Sequence, residues 1–315
     1  MSKSALTMII AIWIVASLLF LLLGSGGDLD FVWRFRVKKW LALNFVGVSV
    51  ALATFLFQTV SQSRVLTPAI MGLDSVFLLF NVLFIGIIGG AEYAKISGSI
   101  KFFLQVVLMM LFAVAVFGLL VRRFSMDISR LLLIGIALGL LIQSLVEFFA
   151  RLITPEDFSL FQGIAFAQFN RVQTELLGVV AGVLLFVILM LWRIYPAIDI
   201  YRLGRNSAIN LGIPYIKMTT NLLMLVAILV SASTALVGPI FFFGLLITAI
   251  VFALFPSARS GSFMIMAAFI GAISLVGGQA IFEHVLGLAS TLSVVIEFIG
   301  GLVFFMLLLK SRKSN

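Results

Sequence analysis

"FRVKKWLALNFVGVSVALATFLFQ", residues 35 to 58, decides the fold. After Lys39 it carries no charge. Its polar residues Asn44, Ser49, Thr54 and Gln58 stand singly among Leu, Val, Phe and Ala. An apolar run of at least ~18 residues can cross a bilayer core of roughly 30 Å as a helix. Hydrocarbon offers backbone groups no hydrogen-bond partner, so such a run must be helical. Polar atoms on it need a protein or water partner, and its small residues permit close packing. The segment is therefore expected to face a pathway or a neighbouring helix.

Runs of the same kind fill the chain. Ten spans are predicted near 7–24, 38–58, 75–92, 100–121, 131–151, 175–193, 218–238, 239–256, 262–283 and 289–309. Only Gly238, Pro239 and Ile240 separate the seventh from the eighth; Pro removes a backbone donor and Gly loosens a helix, so a turn or half-helix is expected there. The chain of 315 residues is 63% hydrophobic and 10% charged, with mean hydropathy +1.27. It reads as an all-α polytopic membrane protein, one domain over 1–315, with its first span retained rather than cleaved.

The net charge of +9 is read as membrane orientation rather than nucleic-acid binding, because Lys and Arg accumulate in cytoplasmic loops. Ten spans put both termini on one side. That side holds thirteen basic residues against Asp74, Asp127 and Asp199, whereas the other holds eight basic and nine acidic residues. The termini are thus expected in the cytoplasm. The largest outside loop, 152–174, is Phe-rich and is expected to carry a short helix at the interface.

Much chemistry is missing. There is no cysteine and one histidine, His284, which leaves no thiolate or His-rich metal site. No G-x-x-x-x-G-K-[ST] loop is present, so no P-loop binds nucleotide. The twelve methionines read as packing filler. Glu147, Glu283 and Glu297 lie within or at the ends of spans; they are either solvated helix ends or proton carriers of a secondary transporter. With no motor in the chain, a transport protein of this kind would borrow energy from a partner. "YRLGRNSAINLGIPYIK", 201–217, is a polar, helix-like island between two apolar runs. It is either an amphipathic surface helix or a docking surface for that partner.

Three stretches together resemble the permease subunits of the iron-chelate and cobalamin ABC importer family (FecCD-type, type II importers). Its second span begins R-x-x-R and ends in Gln, matched by Arg36, Lys39 and Gln58. It continues N-P-L-A-x-P-x-x-L-G, matched at Pro68 and Gly72, with the Asn-Pro start lost at Ser63 and Arg64. L-G-x-x-x-A-x-x-L-G is matched by Leu203, Gly204, Ala208, Leu211 and Gly212. G-P-I-x-F-x-G-L is matched at Gly238, Pro239, Ile240, Phe242 and Gly244, but the following P-H-I-x-R is replaced from Thr248. "SRLLLIGIALG", 129–139, resembles the start of the family's fifth span.

The resemblance implies a type II permease architecture and an import subunit for a ferric siderophore in the bacterial inner membrane, with haem or cobalamin as alternative cargo. It implies a second permease (read here as a related chain), two ATPases and an extracytoplasmic binding protein. ATP and Mg would be bound by the ATPase, with no cofactor in this chain. It implies a coupling loop at 194–217, where Leu203, Gly204, Ala208, Leu211 and Gly212 meet the ATPase. Ala208 would allow close approach, and Pro214 would stop a second short helix. Arg36 and Lys39 would dock the binding protein or anchor a helix end. Asn44, Thr54, Gln58, Ser61 and Thr67 are candidates for the pathway or inner gate.

Overall fold

The computed structural model of the protein describes residues 3–23, 36–118, 128–284 and 292–312. Arg122, Arg123, Asp127 and Lys313, counted above for orientation, lie outside them. Within the described residues all regular structure is helical. The helices are α1 (Lys3–Leu22), α2 (Val37–Ser61), α3 (Leu73–Ile88), α4 (Gly90–Lys95), α5 (Gly98–Ala113), α6 (Ile128–Ala150), α7 (Pro155–Ala165), α8 (Thr174–Tyr201), α9 (Arg205–Asn210), α10 (Tyr215–Val237), α11 (Phe243–Leu254), α12 (Ser260–His284) and α13 (Leu292–Arg312). Seven are long and apolar enough to cross a membrane, and α3, α11 and the apolar part of α13 are shorter. Together they fall at the ten predicted positions.

α2 is the hub. It packs against α12, α10, α11 and α8. The most apolar stretches of α2 and α10 are 72% buried, against 17% in α1, so α2 and α10 are enclosed by other helices and α1 lies at the edge of the bundle. A helix apolar all round is suited to that central place. α2 and α12 touch backbone to backbone: a Cβ on Gly47 would sit 2.7 Å from the Gly271 carbonyl oxygen. Glycine permits this approach because it has no side chain.

Two breaks shape the bundle. After α2 the chain turns through a 3-10 segment, Pro68–Met71, to Gly72, whose φ of +87° suits glycine. This turn lies on α6: a Cβ on Gly72 would be 2.7 Å from Gly139 Cα, and one on Gly139 2.7 Å from the Ile70 carbonyl oxygen. At the second break, Gly238 has φ +100° and Phe242 φ +58°, left-handed backbone that is uncommon for a bulky residue. The eighth predicted span, α11, consequently begins at Phe243 rather than 239 and has 12 residues. α7 folds back across this break. The Gln168 N–H donates to the Val237 carbonyl at 2.7 Å, and Gly238 lies against the Phe166 backbone. Phe161, Ala167 and Phe169 are buried, so the 152–174 loop, expected at the interface, caps the bundle instead.

Candidate functional site

The polar island is built on an extension of α8. That helix has 28 residues, about 42 Å at 1.5 Å per residue, and so outruns a bilayer core. Residues 194–201 of the expected loop are therefore helix, and the non-helical segment starts only at Arg202. Tyr201 ends α8 and stacks on Tyr215 at the start of α10, with ring centroids 4.5 Å apart and planes within 6°. The Tyr201 and Thr219 hydroxyls share a hydrogen bond of 2.8 Å.

The short helix α9 stands on this aromatic root. Gly204 precedes it at φ +93° and Gly212 follows at φ +82°. The Gly212 N–H donates to Ile209 and the Ile213 N–H to Ala208, both at 2.9 Å. This is a Schellman C-cap, which requires a left-handed residue at the Gly212 position. Pro214 starts α10 instead of stopping a short helix. Ala208 is fully buried, so its methyl faces the chain and its small size seats α9. The outward groups are Leu203 (63% exposed), Leu211 (59%) and Ile209. Three aliphatic side chains are thus left uncovered on a polar loop.

The family-like motifs converge on one small cavity of about 30 Å³ between α2, α10 and the two breaks. Thr54, Thr67, Pro68, Gly238 and Gly244 line it, together with Asp74, Ser233, Thr234 and Phe242. Gly244 is needed because a Cβ there would collide with the Thr54 side chain. Gln58 lies beside this site. Its amide donates to the Thr248 hydroxyl at 3.0 Å and to the Arg64 carbonyl at 2.9 Å. Thr248, where the family-like pattern departs, thus ties α11 to α2, and also reaches the Gly244 carbonyl at 3.0 Å.

Asn44 and Ser61 do not reach the cavity lining. Asn44 accepts from Trp13 Nε1 at 2.8 Å and donates to the Trp40 carbonyl at 2.7 Å, joining α1 to α2. The Ser61 hydroxyl lies 3.4 Å from the Gln58 and Ser63 carbonyls at the end of α2. Asp74, counted above among loop charges, is instead buried in the first turn of α3 and accepts from Thr234 Oγ1 at 2.8 Å. An acidic residue two positions before an apolar run was the available signal.

At the opposite end, Arg36 and Lys39 turn inward. Arg36 Nη1 donates to the carbonyls of Phe20 (3.0 Å), Leu21 (3.3 Å) and Leu23, closing the C-terminus of α1. Cations suit that end of a helix. Lys39 pairs with Glu283 and also donates to Asn170 Oδ1 at 2.5 Å. Gln279 donates to the same Glu283 oxygen at 2.7 Å. These groups join α1, α2, α12 and the 152–174 loop, as the helix-end anchor reading of Arg36 and Lys39 expects. Glu147 lies on an exposed face of α6, and Glu297 accepts from the Phe241 backbone N–H. Nearby, Tyr93 donates to Asn81 at 2.6 Å and Gln105 to the same oxygen at 3.0 Å. Burial pushes the Tyr93 phenol up to about 12, so it remains a donor at neutral pH.

Comparison with known proteins gives the same frame. The FecCD transport family matches residues 4–310. The chain is 39% identical over 312 residues to the petrobactin import system permease protein YclO of Bacillus subtilis strain 168, covering 99% of this chain and 98% of that protein. It is 26% identical over 277 residues to the petrobactin import system permease protein FatC of Bacillus anthracis, covering 88% of this chain and 78% of that protein. A solved metal-chelate type ABC transporter in an inward-facing conformation superposes with a TM-score of 0.81 at 20% identity, covering 97% of this chain and 98% of that one. That likeness concerns the fold.

Proposed function

The chain belongs to the FecCD transport family, and we propose that it is the membrane-spanning subunit of an ABC importer that carries a ferric siderophore inward. The observation that carries the substrate class is the full-length similarity to a petrobactin import permease. ATP hydrolysis resides in a separate ATPase pair, and an extracytoplasmic binding protein delivers the cargo. A second, related permease completes the gate. The basic end bearing α9 and both termini faces the cytoplasm, in the inner membrane of a bacterium.

The geometry supports a mechanical route. The ATPase docks on Leu203, Ile209 and Leu211. Closure of the ATPase pair moves α9, which is rooted in the Tyr201–Tyr215 stack. α10 runs unbroken from Tyr215 to Val237 and carries that shift to Thr234, Asp74 and the Gly238 break beside the cavity. A packed element with two arrangements can then be biased by nucleotide state. The proton-carrier reading of Glu283 is disfavoured by its pairing with Lys39 and Gln279.

The test is uptake of radiolabelled ferric petrobactin by vesicles holding this chain with its neighbouring permease and ATPase. Uptake should need ATP and the binding protein, and should persist when an uncoupler collapses the proton gradient. Uptake that follows the gradient at constant ATP would overturn the reading.

A further inference from the structure

α8 and its C-cap Arg202 carry one continuous face at 188, 191, 195, 199 and 202, a spacing of three and four residues that keeps side chains aligned on a helix. Its first part, Ile188, Leu191 and Tyr195, lines a cleft of about 550 Å³ between α8, α2 and α12, closed on the other side by Ser262, Ile265 and Ala268. Trp192 is 75% exposed on the rim and Ile265 is also exposed. The cleft therefore opens sideways, on the flank of an apolar helix, towards hydrocarbon.

The last part of the same face is polar. Asp199 accepts from the Ser260 N–H at 2.7 Å, and Arg202 donates to Ser260 Oγ at 3.3 Å. Arg202 stands over the Phe55 ring at 5.6 Å and Arg64 over Phe252 at 4.6 Å. Phe263 packs on both of those rings, with centroids 4.5 Å away in each case. One aromatic stack thus carries two exposed guanidinium groups on its ring faces, and the Asp199 carboxylate also acts on Arg202 by charge. Among the described residues neither makes a salt bridge. Ser260, the residue that holds Arg202, adjoins Gly261 and Ser262 of the cleft wall, so the apolar slot and the cationic group are contiguous.

We propose that the cleft and its arginine-bearing end form a site for one anionic phospholipid, with the phosphate on Arg202 and Arg64 and an acyl chain between α8 and α12. A guanidinium presents paired donors that match phosphate oxygens. Tyr195 and Ser262 lie at the level where ester groups would follow. The apolar slot opening to the bilayer selects a lipid over a free anion, and the charge selects an anionic headgroup over a neutral or zwitterionic one.

Native mass spectrometry of the purified permease, with phosphatidylglycerol or phosphatidylcholine of matched chains, tests this. Phosphatidylglycerol should be retained at one per chain and on the order of tenfold more strongly. Arg202→Gln should erase that preference whatever its effect on the lipid-free melting temperature, and Arg202→Lys should keep part of it. Ala268→Phe should weaken both lipids by filling the slot; Ile265→Trp on the rim serves if that variant fails to insert. Equal retention of the two lipids would overturn the site. So would an unchanged preference in Arg202→Gln, protection by inorganic phosphate equal to that by phosphatidylglycerol, or a crosslink from Trp192 to another protein chain that persists in added lipid.

Discussion

Thr234 Oγ1 donates to Asp74 Oδ1 at 2.8 Å, joining the far end of α10 to the first turn of α3. Both residues line the same small cavity as Thr54, Thr67 and Gly244. A carboxylate inside a membrane bundle marks a functional position more often than a structural one. Asp74→Asn retains an acceptor for Thr234, whereas Asp74→Leu removes it. Uptake should fall about tenfold or more in Asp74→Leu. Thr234→Val should cost ~1–3 kcal/mol by leaving the buried oxygen without its donor. Uptake in vesicles and thermal unfolding in detergent read the two effects separately.

Lys39 and Glu283 give a second test. Removing one member of a partly buried pair leaves the other uncompensated. Lys39→Ala should lower stability by ~1–3 kcal/mol, and the double variant Lys39→Ala/Glu283→Gln should recover much of it. The measurement is a double-mutant cycle on melting temperature. Capture of the binding protein should change little in the double variant, since the Lys39 charge is already spent inside the chain.

Gly244 and Thr54 occupy space that cannot hold both a Cβ and a threonine side chain. Gly244→Ala should therefore reduce folded yield and uptake, and Thr54→Gly should partly restore both. No such rescue is expected for Gly271→Ala, because the atoms it meets on α2 include the Gly47 backbone. Fluorescence-detected size exclusion of the three variants separates the cases.

The proposed coupling face makes a distinction among its own residues. Leu203→Asp with Leu211→Asp should abolish binding-protein-stimulated ATP hydrolysis in the assembled transporter while leaving the permease as stable as before. Ala208→Glu should abolish uptake by another route, since a charge forced into a fully buried site unseats α9. Its melting temperature should drop, and that of the Leu203/Leu211 variant should not.

Tyr93 sets an alkaline limit. The ordinary phenol titrates at 10.0 and the buried one at about 12. The group is neutral in both folded and unfolded chains below pH 10, so it adds no pH dependence there. Between pH 10 and 12 the unfolded chain ionises first, and stability should fall by on the order of 2–3 kcal/mol. Tyr93→Phe should flatten that part of the curve, at the cost of the hydrogen bond to Asn81.

The ten spans were legible in the sequence because crossing a bilayer demands a local property, an uninterrupted apolar length. The break at Gly238 was legible for a similar reason, since an adjacent Gly and Pro interrupt a helix locally. Gly72, Gly204 and Gly212 entered only as motif matches, and the structure gave them their positive φ. The family resemblance rested on the same local signals, and the chain's membership bears it out.

Tertiary structure alone decided how each polar or small side chain is used. Arg36 and Lys39 read as free cations until α1 and Glu283 are placed beside them. Ala208 reads as an outward contact until α9 is seen resting on α8 and α10. Asp74 reads as a loop charge until Thr234, 160 residues away, is found bonded to it. A sequence states which groups need partners, because desolvation in a bundle is costly for any polar atom. It does not state which partner each receives, because that depends on the packing of helices distant in the chain.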